Sequence, residues 1–70
     1  MKTTRHTYRD AEIHVTCPDD YKPGQRTSFD CIVYPIAHPE LRPERYTIEG
    51  KYRFIAAARA RRRFYNITEG

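Results

Sequence analysis

Lys51, Arg59, Arg62 and Arg63 are the residues whose types and spacing best suit chemistry. Projected as a helix at about 100° per residue, they fall on one arc, with Tyr52 and Ile55 among them. Guanidinium forks match phosphate and carboxylate. A basic stripe also attracts nucleic-acid backbones without sequence preference, through counterion release. Tyr52 is placed to stack on a base or join a contact. Three readings of the arc stand open: contact with nucleic acid, contact with an acidic protein surface, where Arg and Tyr are favoured anchors, and a solvated face that keeps a small protein in solution. The run from Ala56 to Arg63 also fits GC-rich coding, which favours Ala and Arg codons whatever the function.

The other reactive side chains do not assemble into known sites. His14 and Cys17 are three apart on an alternating segment and so point to opposite faces, which works against a shared zinc ion despite Cys31 and His38 further on. Cys17 and Cys31 are read as buried, reduced thiols. Ser28 is the lone serine, and nothing marks it as a nucleophile. Asp19 and Asp20 sit in turn chemistry, where Asp serves backbone hydrogen bonds. Three scattered glycines make no phosphate loop. The expectation is a protein that is not an enzyme, with no metal, no cofactor and no small-molecule substrate.

Charge supports attention to the C-terminal end. Residues 1–50 hold seven Lys/Arg and eight Asp/Glu, a balance of −1, whereas residues 51–70 hold six Lys/Arg and one Glu, a balance of +5. Ten of the thirteen basic residues are arginine. At 70 residues, 39% hydrophobic and 31% charged, the composition is that of one small globular domain with little room for a deep pocket. No apolar run reaches membrane-spanning length or resembles a signal-peptide core, so the expectation is a cytoplasmic protein with no membrane contact.

The elements that must position these residues are few. Residues 1–9 are polar and read as a flexible arm. Ala11, Ile13, Val15 and Cys17 alternate with Glu12, His14 and Thr16, the period of a half-buried strand. Pro18 ends it, and Pro23-Gly24 suits a type II turn, with Gly at the position of positive φ. A second strand follows, roughly Thr27 to Ile36. Phe29, Cys31 and Val33 lie on one face. Ile32 and Tyr34 lie on the other, which is less polar than a solvated face and makes these two secondary contact candidates. The turn position sets Cys17 nearly opposite Cys31. Prolines from Pro35 to Pro43 make an ordered connector. Arg45 to Glu49 is a short third strand. A helix runs from about Tyr52 to Tyr65, with Phe54, Ala57, Ala58, Ala60, Phe64 and Tyr65 on its apolar arc. Arg53 and Arg61 lie at the edge of that arc, their stems along the core and their heads in water. The expected architecture is α+β: a three-stranded antiparallel sheet, β-β-β-α, with one C-terminal helix packed on one face.

That arrangement resembles the sheet-reading DNA-binding domains of some plant transcription factors and of some integrase arms, which insert the sheet into a groove. The resemblance is one of architecture; here the third strand carries Arg45 and the second no basic residue. The function expected is a small non-catalytic binding protein, accessory or regulatory, contacting nucleic acid through the basic helix. The alternative is a protein-binding inhibitor or regulator of the phage or mobile-element type, which blocks a host complex. The sequence sets no oligomeric state.

Overall fold

The computed structural model describes residues 1–69, with side chains through Asn66. Strands β1 (Lys2–Thr7), β2 (Glu12–Cys17), β3 (Thr27–Tyr34) and β4 (Glu44–Gly50) precede one helix, α1 (Arg53–Glu69). The strands pair in chain order, each antiparallel to the next, and the helix lies over one face of the sheet. The α+β architecture with a C-terminal helix is therefore as expected, but the sheet has four strands rather than three.

The additional strand is Lys2–Thr7, inside the segment read as an arm. It contains no apolar residue, so it offers no hydrophobic period to detect. Its order comes from the ladder with β2, in which Thr3 faces Thr16, Thr4 faces Val15 and His6 faces Ile13. The Thr3 and Thr16 hydroxyls are hydrogen-bonded at 2.9 Å. Three β-branched threonines suit an edge strand whose stability rests on pairing rather than burial. Tyr8 N–H closes the hairpin onto the Ala11 carbonyl at 2.7 Å.

The core sits between sheet and helix. Ile13, Val15, Cys17, Phe29, Cys31, Val33 and Ile48 line the covered face, and Ala56, Ala57, Ala60 and Phe64 meet them from α1. The β2–β3 register sets Val15 opposite Cys31, so the two cysteines are offset along the covered face rather than opposed. Both are free and buried. Burial pushes the Cys31 thiol up to about 11, which leaves it protonated and unreactive at neutral pH. β3 stops at Tyr34, short of Ile36, because Pro35 cannot extend the ladder.

The helix is rotated from the phase expected. Ala56 is buried in place of Ala58, and Phe54 is 62% exposed. Three alanines, Ala56, Ala57 and Ala60, form the surface that lies against the sheet, and Phe64 fills the space beyond them. That packing turns Phe54 outward.

Two phenylalanines ten residues apart on one helix thus have opposite environments, Phe64 at 1% and Phe54 at 62% exposure. Phe64→Ala is expected to cost about 3–5 kcal/mol, enough to leave a domain of this size largely unfolded. Phe54→Ala is expected to change stability by no more than about 0.5 kcal/mol. Urea denaturation of both variants decides it; equal losses would contradict the helix phase.

Candidate nucleic-acid interface

The candidate surface begins with a loop. Gln25 N–H bonds the Lys22 carbonyl at 3.0 Å, and Gly24 has φ of +90°, the type II turn that Pro23-Gly24 dictates. The Lys51 carbonyl accepts two hydrogen bonds from this loop, from Tyr21 Oη at 2.7 Å and Gly24 N–H at 3.2 Å. Tyr21 is itself held edge-on against Phe29, ring centroids 5.1 Å apart. The chain is thereby fixed just before Tyr52, whose carbonyl accepts the Ala56 N–H at 3.1 Å.

From there α1 sorts its five arginines. Two turn inward, and their heads, expected in water, are engaged by the protein. Arg61 makes two hydrogen bonds to the Asp10 carboxylate, at 2.8 and 2.7 Å, and lies against the rings of Tyr8 and Tyr65. Asp10 also binds through its backbone: its carbonyl accepts Tyr65 Oη at 3.0 Å and Ala37 N–H at 3.1 Å. Arg53 places its guanidinium carbon 4.9 Å from the Tyr21 ring centroid and Nη2 3.4 Å from Cys17 Sγ, while its Nε is buried without a partner. Burial, and after it the Arg53 charge, hold the neighbouring His6 imidazole below its ordinary range.

Arg59, Arg62 and Arg63 point outward and are exposed. Arg59 donates to the Glu49 carbonyl at 3.1 Å, and Arg63 reaches toward the Tyr46 ring at 5.9 Å. Arg62 makes no ion pair among the described residues. No carboxylate of the described residues lies within ion-pair distance of these three. Three arginines of the strands and their flanks differ: Arg5 pairs with Glu12 at 2.7 Å, Arg26 with Glu49 at 2.9 Å, and Arg45 with Asp30 at 3.4 Å. Arg9 and Arg42, in the connecting loops, are exposed and make no ion pair among the described residues.

The sequence candidates therefore form a stripe rather than a pocket. Lys51, Tyr52 and Arg59 line one depression of about 270 Å³ together with Arg26 and Ile55. Arg62 borders a second, broader one beside Tyr65 and His38. Arg63 lies apart, over β4. On the opposite side of the sheet, Ile32 and Tyr34 are half-buried, and Tyr34 packs on His14 with ring centroids 4.6 Å apart. That open face carries Arg5 and Arg45, with Arg26 at its edge, against Glu12, Asp30 and Glu49, three cations against three carboxylates, and so presents no excess of positive charge. His14 lies on this face and Cys17 on the covered one. Among the described residues, no three His, Cys, Asp or Glu side chains converge as a metal site would require. Two contributors were not legible in advance. Arg26 carried no periodic signal, and Phe54 read as core, inside the apolar arc.

Comparisons with family models, with curated proteins and with solved structures find no match.

The Arg61 hydrogen bonds hold the Asp10 carboxyl below its ordinary value, against the opposing effect of burial. A depressed carboxylate stabilises the fold above its unfolded value, about 3.9, and that contribution is lost as pH falls through the folded value. Both partners are partly exposed, 38% and 29% for Arg61 and Asp10. Allowing for solvent screening, Asp10→Asn is expected to cost about 1–2 kcal/mol at pH 7. The gap to wild type should close at acid pH. Urea midpoints between pH 2 and pH 7 test this, and parallel curves would contradict it.

Proposed function

We propose that this protein is a small non-catalytic accessory or regulatory protein that binds nucleic acid through the outer face of α1, with Lys51, Arg59, Arg62 and Arg63 meeting phosphates and Tyr52 beside them. The observation that carries this is the sorting of arginines. Arg5, Arg26 and Arg45 are neutralised by neighbouring carboxylates, while Arg59, Arg62 and Arg63 meet none among the described residues. A carboxylate-paired arginine has little to gain from a phosphate. An exposed and unpaired one releases counterions when it meets one. Positions three and four apart on a helix are neighbours on its surface, so Arg59 lies next to both Arg62 and Arg63 on the outer side of α1. Among the described residues no concave site with converging acid, base and nucleophile accompanies them, which supports binding rather than catalysis. The two free, buried thiols suit a reducing compartment, and we place the protein in the cytoplasm.

An acidic protein surface is the other partner these arginines fit. Affinity capture with and without nuclease separates the two: a stoichiometric protein that survives nuclease favours that partner.

Replacing Arg59, Arg62 and Arg63 together by Gln should leave the fold intact, since Gln propagates helix nearly as well as Arg and all three side chains are exposed. Affinity should fall for every nucleic-acid sequence alike. The slope of log affinity against log salt should flatten by roughly 0.7–0.9 per lost phosphate contact. Circular dichroism confirms folding, and titrations at several salt concentrations give the slope. A folded triple variant that binds as tightly as wild type would remove the helix from the interface.

A further inference from the structure

We propose that Tyr52 and Phe54 form a base-stacking ridge, and that the ligand is single-stranded rather than duplex nucleic acid; this rests on the function proposed above. Phe54 is the large apolar side chain that packing of the helix leaves in solvent. It is 62% exposed on a helix whose inward positions are filled by alanines and by Phe64. Tyr52, 39% exposed, lies beside it with ring centroids 5.7 Å apart and planes tilted by 31°. The two rings make one aromatic surface at the start of α1.

The ridge is held in place before any ligand arrives. The Lys51 carbonyl is tied to Tyr21 Oη and Gly24 N–H, so the backbone entering Tyr52 is anchored to the β2–β3 loop. Fixing an aromatic in its binding position lowers the ordering cost of association.

Its surroundings match a nucleotide strand on both flanks. On one side lies the depression of about 270 Å³ lined by Arg26, Lys51 and Arg59, where the one nearby carboxylate, Glu49, is taken by Arg26. On the other lies a depression of about 310 Å³, lined by Thr4, His6, Tyr21 and Arg53, with no carboxylate in its wall. Tyr52 belongs to both walls, and Phe54 to the second. Each is near the lower end of small-molecule sites, about 300–1,000 Å³. Cations flanking exposed rings are what single-strand binding needs: charge follows the backbone while bases stack on the aromatics. A duplex offers an outward phenyl ring no base face, because its bases are already stacked on one another. Only an unpaired strand can splay a base onto Phe54.

The test compares a labelled oligothymidylate with a duplex of equal length, using wild type, Phe54→Ala, Phe54→Trp and the triple arginine variant. Wild type should prefer the single strand. Phe54→Ala should weaken single-strand binding roughly 5- to 100-fold, the range expected for loss of one stacked base. Its salt slope and duplex affinity should stay unchanged, and Phe54→Trp should restore binding. If Phe54→Ala binds the strand as wild type does while the triple variant loses it, the ridge is overturned and the helix interface stands. Absence of binding to either form at low salt overturns both. A nuclease-resistant protein partner lost with Phe54→Ala would assign the ridge to a protein and overturn the stacking role.

Discussion

The outward placement of Arg59, Arg62 and Arg63 goes with one contact that pins α1 over its packed alanines, the two hydrogen bonds between Arg61 and Asp10 at 2.8 and 2.7 Å. Asp10 stands at the β1–β2 corner and gathers three parts of the chain. Its carboxylate holds the helix through Arg61. Its carbonyl holds Tyr65 and the Ala37 N–H, which brings in the proline connector between β3 and β4. A guanidinium fork meeting a carboxylate has a defined plane, and flanking Tyr8 and Tyr65 rings narrow it further. With Arg61 drawn inward, Ala57, Ala60 and Phe64 meet the sheet, and Arg59, Arg62 and Arg63 are left to face outward.

This makes the charge pattern a consequence of packing rather than of composition alone. Eight of the nine acidic residues lie in the first fifty positions, where they neutralise Arg5, Arg26 and Arg45 and clasp Arg61. The outer arc of the helix receives none of them. The same rotation exposes Phe54, and the β2–β3 loop fixes the segment just before it. Charge and aromatic surface therefore meet at the helix start for separate reasons, one electrostatic and one steric.

Much of this was legible in the residues. The alternation of β2 and β3 predicts their covered faces, and Pro23-Gly24 predicts a turn that appears with its positive φ. Two features were not. Lys2–Thr7 has no apolar residue, and a polar edge strand shows itself only through the ladder it joins. The helix phase is ambiguous because alanines occupy positions 56, 57, 58 and 60, so apolarity alone cannot say which of them face the sheet. Tertiary packing against the sheet, together with the Asp10–Arg61 contact, goes with one choice, and that contact spans fifty-one positions, beyond the reach of any local pattern.

The central claim is that nucleic acid meets the outer face of α1 and not the open face of the sheet. Mapping backbone amide and side-chain NMR shifts during titration with a short oligothymidylate tests it most directly. The account predicts shifts concentrated at Lys51, Tyr52, Phe54, Arg59, Arg62 and Arg63, with Arg5, His14, Ile32, Tyr34 and Arg45 unmoved. Shifts confined to the open face, with the helix silent, would contradict it.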